Sequence, residues 1–315
     1  MITTGAEREA VRAADAQLTA KGRSFHWARR LLEAHHAERA TRLYGLCRHL
    51  DDLADEAPSA AWAKTKLAEA VSEIRAGKSL NPVLQDGILL MQECNIPGSV
   101  VIELITGLSS DLDPVAMDDV DSLLRYCYRV AGTVGVMMCG VLDVREKRAF
   151  AHAIDLGIGM QLTNICRDVS EDATLGRRYL PATMTGDIPL EELIHPAPQR
   201  QPQVRKCTAD LLALADFYYV SGENGLSYLP FRARSAILVA ARVYRAIGTG
   251  LKNRDFDYWS GRVVVPDQQK IIVTARALAS VPFHRGFWAQ PCRHDSQLHQ
   301  ALIGLPFVEE SDADD

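Results

Sequence analysis

Apolar residues recur along most of this chain at intervals of three and four, the spacing that gathers one face of a helix. Ser24 reads as the N-cap of a helix over 24–36, with Phe25, Ala28, Leu31 and Leu32 on one side. A second helix is predicted over 38–54, ended by Pro58. A third covers 62–75 and closes at Gly77; Asn81-Pro82 opens one through 93, and Pro97-Gly98 another through 109. Further helices are predicted over 122–142, 145–168, 202–221, 230–252 and 267–279. The stretch 175–202 is interrupted by two glycines and five prolines, and loops this long are often lids or binding loops. Alternation of period two is missing; Val263-Val264-Val265 is the best strand candidate and is too short to build a sheet. No fixed-period repeat and no linker divides the chain. The pattern predicts an all-α fold in one domain over 1–282, followed by an extension over 283–315 with an acidic, disordered end.

Two of these helices place charge where a core-facing stripe should be apolar. Gln161, Asn164, Asp168 and Asp172 stand three and four residues apart, so they share one helical face. The flanks, Ile154, Leu156, Ile158 and Met160 before and Tyr179-Leu180 after, are apolar enough to predict burial. Carboxylates in such a place are costly unless paired or bound to metal. About a hundred residues upstream, Tyr44, Arg48, Asp51 and Asp55 trace a second stripe. If the two stripes face each other they form a set of hard oxygen ligands. Such a set suits Mg²⁺, which takes a few carboxylates plus substrate phosphates.

Composition narrows the field. The 315 residues suffice for a large core, and 47% hydrophobic with 24% charged residues is ordinary for a globular protein. A net charge of −5 gives no footprint for nucleic acid. Seven scattered cysteines without a CxxC argue against a zinc site or a disulfide frame, and for reduced thiols in the cytoplasm. The first residues carry no apolar signal segment, and no uncharged apolar run is long enough to cross a membrane. Peripheral membrane association stays open, and oligomeric state is unreadable.

Several motifs then fall in one order. They are Ser24-Phe25; Tyr44, Cys47-Arg48, Asp51-Asp52 and Asp55; the run from Tyr126 through Gly135; Gln161, Thr163-Asn164, Arg167-Asp168 and Asp172; Gly176-Arg177-Arg178-Tyr179-Leu180-Pro181; Tyr244-Arg245; and Arg262-Val263. Over about 22–280 the chain resembles the squalene/phytoene synthase family of head-to-head prenyltransferases, most of all its bacterial phytoene synthases. Cys166 stands where members commonly have leucine. The resemblance implies an isoprenoid-synthase-type helical bundle around a central cavity. It implies two isoprenoid diphosphates and Mg²⁺, with Mn²⁺ as the alternative, at the cavity mouth. Geranylgeranyl diphosphate is the expected substrate and phytoene the product, without NADPH. The alternatives are a squalene or dehydrosqualene synthase using farnesyl diphosphate, and a non-catalytic assembly factor, whose mark would be lost metal ligands.

By residue, Asp51, Asp55, Asn164, Asp168 and Asp172 are the expected metal ligands. Arg48, Arg167 and Arg262 are the expected diphosphate clamps, since guanidinium offers a fork of donors. Ser24, Phe25, Tyr44, Tyr128 and Tyr244 are candidates for substrate contact, the aromatic ones by facing a carbocation. Gln161 is placed near the reacting centre by the family pattern. Each has a plainer alternative. Asp51 through Glu56 could be a solvated helix end, and Tyr128 and Tyr244 could be ordinary core tyrosines. Asp118, Asp119 and Asp121 sit where acids cap a helix, and Gly132 and Gly135 read as close-packing positions.

Overall fold

The computed structural model describes residues 27–289 and 293–308. Among these, ten helices of eight residues or more dominate. They are α1 (Ala34–Asp55), α2 (Ala60–Ala76), α3 (Pro82–Glu93), α4 (Gly98–Ser110), α5 (Val120–Cys127), α6 (Thr133–Val141), α7 (Arg148–Thr174), α8 (Gln201–Asn224), α9 (Phe231–Lys252) and α10 (Asp267–Ser280). Their ends follow local chemistry. Asn81 caps α3 through the Val83 and Leu84 amides, and Gly77 closes α2 in the left-handed conformation at φ 68°. Asp119 accepts from the Ser122 amide at 2.8 Å, so this acid is a cap as its position predicts.

Helix α7 is the spine. It packs against α6, α8 and α9, and its Ile154, Ile158 and Leu162 are fully buried. Two glycines set how closely α7 approaches α6 and the turn before it, Tyr128–Gly132. A Cβ on Gly135 would collide with the Ala153 carbonyl oxygen, and one on Gly157 with that of Ala131. Helix α1 packs on α3, α4 and α6 and lies across a central cavity from α7.

Five features differ from the expected elements. The predicted helix over 24–36 is a single turn after residue 26, because the backbone turns extended at Glu33 before α1 starts. No Gly or Pro marks that break. The predicted helix over 122–142 is split by a π-turn at Tyr128–Gly132, where Gly132 lies against Ile154 of α7. Helix α7 runs past Asp168 to Thr174 and so carries its whole polar stripe. The irregular stretch holds a two-residue strand, Arg177–Arg178, parallel to Val115–Ala116. Val263 through Val265 form no strand; Val263 and Val265 are buried and Val264 is exposed.

Residues 293–308 lie back on the body. Arg125 of α5 donates to the Ala301 carbonyl at 2.8 Å, and Tyr218 of α8 to that of Leu298 at 2.7 Å. Residues 309–315, with most of the acidic end, lie outside the described residues. No helix among the described residues is long and apolar enough to cross a membrane.

The contact of Gly157 with the Ala131 backbone predicts that Gly157→Ala destabilises the protein by about 1–3 kcal/mol or more, the usual result of overpacking a rigid core. A fall in the urea midpoint with an unchanged slope is the expected result.

Candidate active site

The two polar stripes meet. Tyr44, Arg48, Asp51 and Asp55 of α1 and Gln161, Asn164, Asp168 and Asp172 of α7 line one cavity of about 450 Å³. Helical periodicity explains the alignment, since each set recurs at three or four residues and faces inward together. A second, apolar cavity of about 320 Å³ lies deeper. Tyr44, Cys47, Gln161 and Asn164 line both, so the polar chamber is the mouth of the apolar one. Tyr244 of α9 lines the apolar part.

The mouth holds more negative charge than it can leave unbalanced. Burial and then the neighbouring Asp55 charge push the Asp51 carboxyl up to about 6. Burial and then Asp168 push Asp172 up to about 7. Among the described residues, no hydrogen bond or ion pair reaches the Asp172 carboxylate. The Asn164 Oδ1 is buried without a hydrogen-bond partner. A polar oxygen with no donor, beside carboxylates that repel one another, is the donor set a hard divalent cation takes. These residues therefore fit Mg²⁺ or Mn²⁺.

Arginines ring the acids. Arg48 meets Asp51 at 2.6 Å and also pairs with Asp52. Asp168 is held from two sides, by Arg167 at 2.5 Å and by the exposed Arg262 at 2.9 Å. Of the three expected clamps only Arg48 lines the mouth; Arg167 and Arg262 do not line it and reach it through their pairs with Asp168.

Four residues of the mouth had no assigned role in the sequence. Arg177 reaches Asp55 at 3.0 Å, bridging from the strand after α7 to α1. Tyr126 and Tyr179 donate to opposite oxygens of Asp111 at 2.8 and 2.7 Å, with their rings stacked 4.8 Å apart. All four line the polar chamber. Arg177 and Tyr179 lie in a motif that signalled them, whereas Asp111 lies in a turn and Tyr126 two residues from the expected Tyr128. Tyr128 itself lines neither cavity. It is fully buried, and its hydroxyl donates to the Pro306 carbonyl at 2.5 Å. Residues two apart on a helix point to nearly opposite sides, so only one of this tyrosine pair can face the mouth. Ser24 and Phe25 lie outside the described residues.

The model of the squalene/phytoene synthase family matches residues 18–269. A phytoene synthase of Rhodobacter capsulatus is 35% identical over 266 residues, covering 82% of this chain and 77% of that protein. A 15-cis-phytoene synthase of Pantoea ananas is 29% identical over 290 residues, covering 85% of this chain and 94% of its own. Among solved structures, a dehydrosqualene synthase in complex with ligand superposes with a TM-score of 0.78 at 24% identity, covering 88% of this chain and 98% of that one. A squalene synthase from Alicyclobacillus acidocaldarius gives 0.70 at 20% identity, covering 81% and 97%. At such identities the two structures speak for the all-α fold alone. With the family model spanning most of its length, the chain belongs to the squalene/phytoene synthase family.

Proposed function

We propose that this protein is a prenyltransferase of the 15-cis-phytoene synthase type. It condenses two geranylgeranyl diphosphates head to head, through a cyclopropylcarbinyl diphosphate, to phytoene for carotenoid synthesis. The observation that carries this is a polar mouth with two facing carboxylate stripes above a continuous apolar cavity. The relatives named phytoene synthase support the choice of product within the family.

Each part of the reaction makes a demand that the residues meet. The allylic C–O bond breaks with its electron pair leaving on diphosphate. Arg48, Arg167 and Arg262 supply donors and positive charge where that charge develops, the usual dominant effect in such a step. Asp51, Asp55, Asn164, Asp168 and Asp172 would hold Mg²⁺, which when bound neutralises the diphosphate as a Lewis acid. Arg177 keeps Asp55 oriented in the meantime. The allylic cation is then attacked by the C2–C3 double bond of the second substrate, and a proton is lost as the cyclopropane closes. The second ionisation and rearrangement end in loss of another proton. The apolar chamber excludes the water that would quench either cation, and Tyr44 and Tyr244 line it, aromatic groups able to attract a cation. Gln161 lines both chambers, which supports a role for it near the reacting carbons.

Two measurements test this. Incubation with labelled C15 and C20 diphosphates, with and without NADPH, should give a C40 hydrocarbon from the C20 substrate without reductant. A reduced C30 product formed only with NADPH would identify a squalene synthase instead. In the same assay Asp51→Ala and Asp168→Ala should each lower diphosphate release by about 10²–10³, the cost of losing one electrostatic stabiliser. Wild-type turnover in either variant would remove the site from the reaction. Separately, Mg²⁺ at a hundred times its dissociation constant should stabilise the wild type by about 2.7 kcal/mol through binding linkage. Asp172→Ala should lose most of that increment in a thermal melt, while its melting temperature without metal stays near wild type.

A further inference from the structure

A second polar cluster lies at the other end of the apolar cavity, and the reaction above does not use it. Asp155 of α7 is wholly buried. His294 donates from Nε2 to its Oδ2 at 2.7 Å, and His299 to its Oδ1 at 2.8 Å. Ser221 of α8 adds a hydroxyl at 2.5 Å. Burial alone would raise the carboxyl, but the two imidazole hydrogen bonds outweigh it and hold it down at about 2. The group could be read as a metal site, since two imidazoles and a carboxylate converge. The spacing argues otherwise. Tetrahedral zinc with ~2.0–2.1 Å bonds would set its ligand atoms roughly 3.3 Å apart. The observed separations are those of N–H···O hydrogen bonds.

The cluster touches the cavity through one residue. His152 lines the apolar chamber one turn before Asp155. Its Nδ1 lies 2.8 Å from the Ser221 carbonyl oxygen, and its ring meets the His294 ring edge-on at 5.3 Å. The Tyr228 ring stacks on the His152 ring at 6.1 Å, and Gly225 packs so close that a Cβ there would collide with the His152 Cβ. The α7 wall of the cavity begins at Asn164, beside the mouth, and ends at His152 and Ala149. Asn164 and His152 are twelve residues apart on α7, about 18 Å at the helical rise. His152 thus stands where the far end of a prenyl chain would arrive, and its imidazole is locked by residues 293–308 through His294.

We infer that residues 293–308 set the depth of the prenyl cavity, with His152 as the side chain that meets the end of the substrate and His294, His299 and Asp155 as positioning residues. This rests on the prenyl diphosphate chemistry proposed above, and it assigns chain-length choice to a contact between the end of the chain and the cavity. The polar cluster has a second consequence. It closes the deep end with groups that satisfy one another, so no polar atom of the cluster needs to face the hydrocarbon.

The test is the ratio of kcat/KM for the C20 over the C15 diphosphate, measured on the full chain. His152→Ala should raise that ratio by roughly tenfold, the low end of what one changed methylene contact yields in an apolar pocket. His152→Phe should move it the other way. His294→Ala and His299→Ala should shift the ratio as His152→Ala does, although His152 itself is unchanged. His299→Gln, which keeps a donor toward Asp155, should return it toward wild type. If the two rate constants fall together at a constant ratio, residues 293–308 only stabilise the fold, and the inference fails. It fails equally if both His152 variants keep the wild-type ratio, a result available even where the His294 and His299 variants do not fold. A wild type that prefers C15 would overturn the proposed substrate while leaving this ratio test intact.

Discussion

Everything at the mouth depends on the mutual repulsion of carboxylates that the fold holds together. Asp51 and Asp55 on α1 face Asp168 and Asp172 on α7 across one chamber. Asp51 and Asp172 are pushed toward neutrality by burial and then each by an acid four residues away on its own helix, Asp55 and Asp168. Leaving such groups half-buried costs free energy, which a divalent cation held by them would offset. The arginines act as partial counterions in the meantime. Asp168 is paired with both Arg167 and Arg262, while Asp172 pairs with none among the described residues.

The same helix serves both ends of the cavity. From Asp172 back to Asn164, α7 presents carboxylate and amide groups; from Gln161 back to Ala149, it presents a mostly apolar wall. A site of this kind needs α7 to be fixed in position. The Gly135 and Gly157 contacts with the facing backbone do that at mid-length, and the Asp155 cluster does it near the start. The strand pair Val115–Ala116 with Arg177–Arg178 does it after the end, by carrying Arg177 to Asp55.

Periodic features were legible in the sequence, and features made by distant contact were not. The acid stripes could be seen because a period of three and four residues breaks an apolar pattern visibly. Helices α2, α3 and α4 announced themselves by Gly77, Asn81 and Pro97. The π-turn at Tyr128–Gly132 has no such sign, since it arises where α5 and α6 press on α7. The exchange of Tyr126 for Tyr128 at the mouth has a similar origin. Both tyrosines suit a buried helix, and only the packing decides which one turns toward Asp111. Asp111 itself follows the last residue of α4 and belongs to neither periodic stripe. The docking of residues 293–308 was equally hidden, because His294 and His299 gain meaning only beside an aspartate some 140 residues earlier.

The central claim is that the two stripes together hold divalent metal against a leaving diphosphate. Anomalous diffraction from crystals grown with Mn²⁺ and a non-hydrolysable prenyl diphosphate tests it most directly. Manganese peaks should lie between the diphosphate and the side chains of Asp51, Asp55, Asn164, Asp168 and Asp172, with the prenyl tail in the apolar chamber. A bound analogue whose diphosphate lies away from both stripes, or that carries no manganese there, would contradict the account.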